Sequence, residues 1–270
     1  MNAQGLPEAA ARALIAAACR VLQAAGQGDM VWGHVSVRDA GGRGLWLKGA
    51  GLGFDEVTEA DCVLLSWTGE VLAGTAKRHV EYPIHTEIMA ARPDVGGIVH
   101  THPLYAVAFA AQGRPLRALS HEGAQFVPPD VPRFTRTGDL INTAELGRDL
   151  ARTLGDGRAV VMPRHGIVTV APTLGDAVGA AVHLERACQM ELLAGPDAQG
   201  SPADEAEGKR NRARNRFRVA WEYLERTSRP RDPAGPPERT SRPWDPAEPL
   251  EHPSRPRDPA GLPERPSRPS

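Results

Sequence analysis

Two histidines separated by one residue, His100 and His102, end a short apolar stretch of the chain. The residues before them, Gly96–Val99, are typical of a strand that leads toward a helix. Side chains at positions i and i+2 of a strand point to the same face, so both imidazoles can reach one point. Neutral imidazole is a common ligand of divalent metals such as Zn²⁺. The pair alone is as often structural as metal-binding.

Two further residues with metal-binding side chains lie elsewhere in the sequence. Glu81 stands upstream at the start of a helical stretch, and His165 stands downstream before the apolar run Ile167–Val170. Three histidines and one carboxylate would form a four-ligand site that a substrate can open by displacing the carboxylate. Glu81, His100, His102 and His165 are therefore candidate ligands of one divalent ion, and this donor set suits Zn²⁺ or Mn²⁺.

The elements that must position these residues indicate an α/β domain. Apolar periodicity predicts helices at 7–25, 83–92, 104–111, 144–154, 176–193 and 205–226. Alternating or apolar runs bounded by turn residues predict strands at 32–38, 44–48, 63–67, 71–73, 96–101, 158–163 and 166–170. Hairpins surrounded by helices favour a three-layer α/β/α fold with a mostly antiparallel central sheet.

Composition and charge bound the possible partners and location. The formal net charge of the 270 residues is -1, so nothing indicates binding to nucleic acid or to a membrane surface. The widely spaced Cys19, Cys62 and Cys188 predict buried thiols in a reducing compartment. The N-terminal residues lack the basic start of a signal peptide, and no membrane span is predicted. We expect a cytoplasmic protein that acts on a small molecule.

The C-terminal segment 225–270 differs from the rest of the chain. It repeats with a period of 13 and holds 13 of the 25 prolines. Such a segment has too little apolar surface to offset the entropy of ordering, so we predict disorder. The domain prediction is therefore a catalytic domain at 1–224 and a repeat tail at 225–270. The tail is either a proline-rich docking segment or a functionless extension.

The ordered set of motifs resembles the metal-binding core of the class II aldolase/adducin family. The matching motifs are Glu81-x3-His85, Arg92-Pro93-Asp94, His100-Thr101-His102-Pro103, Arg164-His165-Gly166 and, near the front, Gly33-His34-Val35-Ser36 for the family's Gly-Asn-x-Ser loop. The resemblance implies the α/β/α fold, a homotetramer with active sites at subunit boundaries, and the same four metal ligands. Adducin-type scaffolds lack an intact ligand set, which favours an enzyme.

Departures from the family pattern concern the substrate. The family's phosphosugar aldolases have small hydroxyl or amide residues before the metal-binding Glu and in the Gly-Asn-x-Ser loop. Here His79 and Val80 precede the Glu and His34 replaces the Asn, which removes donors suited to phosphate. The glycine-rich run 48–51 is interpreted as a flexible loop over the substrate. The candidate substrate-binding residues are His34, Ser36, Lys48, Arg78, His79 and Arg164.

His121 occupies the region where the resemblance places a tyrosine from a neighbouring subunit. Histidine titrates near neutral pH and can protonate a carbanion left by loss of CO₂; otherwise His121 is a turn residue. His85 is either a partner of the site or an ordinary buried histidine. These features resemble the family branch that decarboxylates hydroxylated aromatic or pyridine dicarboxylates.

The predicted function is therefore a metal-dependent carbon–carbon lyase that decarboxylates such an acid through an enolate-like intermediate. Glu81 and His121 are the predicted catalytic residues. The alternative is a class II aldolase acting on a hydroxy-carbonyl, sugar-like substrate. A non-catalytic, adducin-like scaffold is the third reading.

Overall fold

The computed structural model describes residues 3, 5–213 and 215–229. Within them the helices and strands follow one another in the order α1 Glu8–Ala24, β1 His34–Arg38, β2 Gly44–Lys48, β3 Cys62–Ser66, β4 Val71–Ala73, α2 Tyr82–Ala91, β5 Gly97–Thr101, α3 Leu104–Ala111, α4 Ala144–Leu154, β6 Ala159–Met162, β7 Gly166–Ala171, α5 Leu174–Ala194, α6 Ala203–Arg212 and α7 Arg216–Thr227. Two short 3₁₀ turns lie at Glu59–Asp61 and Gly123–Gln125.

The strands form one sheet in the order β4-β3-β2-β1-β5-β7-β6, and each neighbouring pair is antiparallel. The predicted antiparallel sheet is thus confirmed. The pairing of β1 with β5 sets His34 opposite His100, and Ser36 opposite Ile98. Because side chains alternate between faces, these four residues share one face of the sheet. The strand pairing therefore brings two distant histidines together.

Helices cover both faces of the sheet, which confirms the α/β/α layers. One apolar cluster packs α1, α3 and α5 against side chains such as Val35, Val37 and Val99. The second packs α2 and α4, through Ile84 and Leu150 among others, against the opposite face. Fully burying one such side chain contributes roughly 1.5–3 kcal/mol, so each helix is held by its apolar stripe.

The predicted single helix at 205–226 is wrong, because the chain forms two helices there. α6 ends at Arg212 and α7 begins at Arg216. Only Ala206 of α6 is buried, so no continuous apolar stripe holds a longer helix on the core. Beyond the break, Phe217 packs its ring 5.8 Å from that of Phe126. Burial of this aromatic residue sets the course of α7.

Two other predicted boundaries shift. The strand predicted at 32–38 begins at His34, because Gly33 takes a φ of 81° that interrupts extended backbone. α7 continues to Thr227, so the first residues of the repeat segment are helical. The predicted disorder of 230–270 falls outside the described residues.

Two expectations about composition can also be compared with the fold. Cys19, Cys62 and Cys188 are all buried and free, as predicted. In the described part of the chain, no helix is both long enough and apolar enough to cross a membrane.

Candidate metal centre

The ends of four elements bring the predicted ligands together. His100 lies near the end of β5, and His102 follows that strand by one residue. Glu81 immediately precedes α2, while His165 lies in the turn between β6 and β7. His100 is fully buried, and Glu81 is 3 % exposed. A shared, nearly dry site is what strong electrostatic binding of a cation needs.

The ligand atoms converge on one small volume. Nε2 of His100 lies 3.1 Å from Nε2 of His102. The carboxylate of Glu81 has one oxygen 3.4 Å from Nε2 of His165 and the other 3.8 Å from Nε2 of His100. His100, His102 and His165 each offer a nitrogen, and these three atoms lie within 4.8 Å of one another. The set fits a divalent ion.

Hydrogen bonds fix which nitrogen of two imidazoles is free. Nδ1 of His100 donates to the main-chain oxygen of Ile167 at 2.9 Å. Nδ1 of His102 donates to Oδ2 of Asp29, also at 2.9 Å. In neutral imidazoles with these tautomers, both Nε2 atoms carry lone pairs, and they face each other at 3.1 Å. A cation held between the rings would remove the repulsion between these lone pairs, and a carboxylate behind the imidazole, as behind His102, is typical of metal-binding histidines.

Glu81 is held ionised by its surroundings. Burial opposes ionisation, but His165, His34 and His100 outweigh it and hold the pKa of the carboxyl well below its ordinary value. Oε1 also accepts a hydrogen bond from the main-chain N–H of Ile141 at 2.8 Å. An ionised, oriented carboxylate is a competent metal ligand.

A second group of buried histidines lies beside the ligands. His85 Nε2 is 2.6 Å from Nδ1 of His34, and His85 Nδ1 is 2.6 Å from Oγ of Ser36. The other nitrogen of His34 lies 3.8 Å from Oε2 of Glu81. Burial lowers the pKa of His85 to about 3 and that of His34 well below its ordinary value. In the described residues, the two ring nitrogens of His85 contact His34 and Ser36, and neither contacts a predicted metal ligand.

Two of the predicted substrate-binding residues, His34 and His79, lie next to the centre, and a third, Ser36, lies behind them in contact with His85. The His79 ring is 4.1 Å from that of His34, and its Nδ1 is buried without a partner in the described residues. Burial, aided by the charge of Lys48, lowers the pKa of His79 to about 4. His34 and His79 together form a wall of neutral imidazoles beside the ligands.

Lys48 does not join this wall. Its ammonium is buried and donates to the main-chain oxygens of Val31 and Gly49, 5.7 Å from the ring of Phe54. Two residues of the glycine-rich run 48–51, predicted to be a flexible loop, also make main-chain hydrogen bonds. The N–H of Gly49 donates to the main-chain oxygen of Asp61, and that of Ala50 to the main-chain oxygen of Lys77. These hydrogen bonds hold the first two residues after Lys48, and the flexibility of the loop and its place over the substrate stay predictions.

The two predicted arginines also have other roles in this subunit. Arg78 is exposed, donates to the main-chain oxygen of Gly69 and lies 4.3 Å over the ring of Tyr82. Arg164 is exposed and has a φ of 66°, so it forms the tight turn that presents His165. Within a single subunit, Arg164 therefore shapes the turn before His165.

His121 is exposed, and its carbonyl accepts a hydrogen bond from the side chain of Gln125. Across the described part of this single chain, no hydrogen bond or ion pair joins the His121 side chain to the four ligands. Asp29, in contrast, was missed by the sequence analysis. It lies 73 residues before His102, so no local spacing signals their contact.

Comparison with known proteins agrees with the geometry. The family described as "Class II Aldolase and Adducin N-terminal domain" matches residues 13–192. The 3,4-dihydroxyphthalate decarboxylase of Arthrobacter keyseri is 31 % identical over 200 residues, which cover 69 % of this chain and 79 % of that protein. The 5-methylthioribulose-1-phosphate/5-deoxyribulose-1-phosphate aldolase of Rhodospirillum rubrum is 32 % identical over 179 residues, covering 65 % and 78 %.

A solved structure gives the same result for the fold. L-fuculose 1-phosphate aldolase from Glaciozyma antarctica PI12 superposes with a TM-score of 0.70 at 28 % identity, covering 82 % of this chain and 90 % of that one. Decarboxylation and aldol cleavage both break a carbon–carbon bond, so the prediction of a carbon–carbon lyase is confirmed. Class II aldolases use a divalent metal, which the convergent imidazoles fit. The resemblance seen in the motifs is thus confirmed, and the chain belongs to the class II aldolase and adducin family.

Proposed function

We propose that His100, His102 and His165 hold one divalent ion, Zn²⁺ or Mn²⁺, with Glu81 as the exchangeable fourth ligand. The observation that carries this proposal is the 3.1 Å approach of the Nε2 atoms of His100 and His102, whose Nδ1 atoms are both engaged in other hydrogen bonds. Three imidazoles and a carboxylate suit either metal. The carboxylate is the ligand that a substrate oxygen can replace.

We further propose that the reaction is decarboxylation of a hydroxylated aromatic or pyridine (di)carboxylate. A bound divalent ion supplies Lewis acidity for the electron pair that is released when the carboxyl group leaves. Glu81, once displaced, is free to accept and return a proton. His121 of a neighbouring subunit would protonate the ring carbon, which requires the homotetramer that we propose for the cytoplasmic protein. CO₂ then leaves from the protonated carbon, the electron pair of the broken bond returns to the ring and its conjugated oxygen, and the added hydrogen stays in place of the carboxyl group.

The wall of neutral imidazoles supports this substrate class over a phosphosugar. A phosphate dianion is bound by cations and by clustered N–H or O–H donors. Burial lowers the pKa of both His34 and His79, so both are neutral near pH 7. Two of the three N–H donors of the nearby Lys48 are engaged by the main-chain oxygens of Val31 and Gly49. The two neutral rings therefore add no positive charge that would bind a phosphate dianion.

An aldolase acting on a sugar-like hydroxy-carbonyl is the second candidate. It is favoured by the two aldolases among the similar proteins, one of them matched by its solved structure. The same ion and the same Glu81 would serve either reaction. A non-catalytic scaffold is disfavoured, because a protein without a reaction has no need of a complete, convergent ligand set.

A substrate panel distinguishes the two reactions. Metal-loaded protein is incubated with hydroxyphthalates, hydroxy-pyridine dicarboxylates, phosphorylated ketoses and unphosphorylated ketoses. We expect CO₂ from a hydroxy-aromatic acid and no cleavage of the phosphorylated ketoses. His102→Ala is the matched control for metal dependence. Retro-aldol cleavage of a ketose, with no CO₂ from any acid, would replace the proposed reaction with the second candidate.

A further inference from the structure

Three buried side chains form a hydrogen-bonded chain that ends at the metal centre. Ser36 Oγ, the two nitrogens of His85 and Nδ1 of His34 are linked by two contacts of 2.6 Å each. All three side chains are completely buried. The last atom, Nε2 of His34, lies 3.8 Å from Oε2 of Glu81 and has no hydrogen-bond partner among the described residues. A buried polar atom is thus aimed at the place where substrate would bind.

The direction of this chain decides what His34 offers to the site. A neutral imidazole has one N–H and one lone pair, so both hydrogen bonds must run the same way. If Ser36 donates to His85, then His85 donates to Nδ1 of His34, and Nε2 of His34 carries a proton. If the direction is reversed, Nε2 of His34 is a lone pair. The site therefore gains either a donor or an acceptor.

Two observations favour the direction that begins at Ser36. The Ser36 hydroxyl makes one side-chain hydrogen bond, to His85. If Ser36 accepted that bond, its own buried O–H would lack an acceptor among the described residues, which native structures avoid. At the other end, Nε2 of His34 faces a carboxylate oxygen of Glu81, which can only accept. Both ends of the chain therefore favour a proton on Nε2 of His34.

We propose that Ser36 and His85 hold His34 as an Nε2–H donor, and that this N–H binds the substrate oxygen that takes the place of Glu81 Oε2. The proposal rests on the proposed function and narrows its substrate to an acid that presents an acceptor oxygen there. This oxygen is the ring oxygen conjugated with the reacting carbon: when the bond to the carboxyl carbon breaks at the protonated ring carbon, its electron pair passes through the ring onto this oxygen. A fixed donor stabilises that charge without reorganising. Ser36 and His85 act through His34 and are positioning residues.

Neutron diffraction from deuterated, zinc-loaded full-length protein tests the direction without any assay of activity. We expect deuterium on Nε2 of His34, on Nε2 of His85 and on Oγ of Ser36, with Nδ1 of His85 bare. Deuterium on Nδ1 of His34 would overturn the proposal. Because proton positions do not depend on the reaction, this result stands even if the decarboxylase assignment fails.

Binding of 2-hydroxybenzoate to the zinc-loaded protein, measured by calorimetry, tests the consequence. Ser36→Ala should weaken binding about tenfold, the scale of one hydrogen bond to a charged group. Ser36→Thr, which keeps the hydroxyl, should restore it. Thr169→Val is the matched control. Thr169 lies on the same sheet, and its buried hydroxyl donates to the main-chain oxygen of Ala177 in α5. Parental affinity in Ser36→Ala with full zinc content, or equal weakening in Thr169→Val, would overturn the proposal.

Discussion

Oδ2 of Asp29 accepts a hydrogen bond from Nδ1 of His102 at 2.9 Å, and this contact turns the other nitrogen of His102 toward the metal centre. Asp29 lies in a short turn that its main-chain oxygen closes by accepting from the N–H of Trp32. A carboxylate in this position fixes the imidazole tautomer and raises its basicity. The residue behind the ligand is thus part of the binding site.

Asp29→Asn should therefore weaken metal binding about 10–100-fold, the usual effect of losing such a carboxylate. Competition with a fluorescent zinc chelator measures the affinity. Asp55→Asn, which changes an exposed aspartate, is the control and should bind zinc like the parent protein. An unchanged affinity in Asp29→Asn would mean that this contact does not orient a metal ligand.

Glu81→Gln should affect turnover more than metal content. Glutamine keeps the shape of the side chain and can still accept from the N–H of Ile141, but it cannot take up a proton. General acid–base groups supply about 10²–10⁴-fold, so we expect a fall in kcat on that scale with part of the metal retained. Steady-state kinetics and metal analysis measure both quantities. Glu70→Gln is an exposed control, and parental turnover in Glu81→Gln would contradict the role.

Acid should destabilise the fold through the buried histidines. The pKa of His85 is lowered by burial to about 3, whereas an unfolded histidine titrates near 6.5. Between these values the unfolded state binds a proton that the folded state does not. The free energy of unfolding therefore falls as the pH falls from about 6.5 toward 3, by about 1.4 kcal/mol per pH unit for this group. His79, with its pKa lowered to about 4, acts in the same direction.

Urea denaturation between pH 5 and pH 7.5, with metal chelated, measures this dependence. His85→Phe should flatten the slope of stability against pH below about pH 6.5. His121→Phe removes an exposed histidine and serves as the control. If His85→Phe has the slope of the parent protein, the buried imidazole is not the source of the acid sensitivity.

The repeat segment should be dispensable for folding and turnover. A chain that ends at Arg229 keeps all of α7 and the ion pair between Glu225 and Arg229. Residues 230–270 have few apolar groups to bury, so we expect a Tm within about 2 °C of the parent and an unchanged kcat. Calorimetry and kinetics on both chains are the measurements. A fall in Tm well beyond this range would indicate that the repeats pack on the domain.

Local sequence pattern accounts for much of the centre. The i, i+2 spacing predicts that His100 and His102 share a face, and the alternation around them predicts the strand itself. The family resemblance assigned Glu81 and His165 to the same site, because sequence spacing alone cannot connect residues so far apart in the chain. Short-range rules therefore foresee the ligands one or two at a time, and the family resemblance joins them.

Long-range pairing accounts for what the sequence could not reveal. The register that sets His34 opposite His100 joins segments far apart in the chain, as does the contact between Asp29 and His102. The interruption between α6 and α7 likewise follows from the burial of Phe217 by other elements. Tertiary packing decides these features, and helical periodicity or composition does not encode it.

The most direct test of the account is anomalous diffraction from crystals of the protein loaded with Zn²⁺, collected on both sides of the zinc absorption edge. We predict one anomalous peak per subunit, about 2.0–2.1 Å from Nε2 of His100, His102 and His165. Crystals of His102→Ala, treated identically, should show a weaker peak or none. A full-strength peak bound elsewhere, or no peak in the loaded parent protein, would contradict the metal centre on which the proposed chemistry depends.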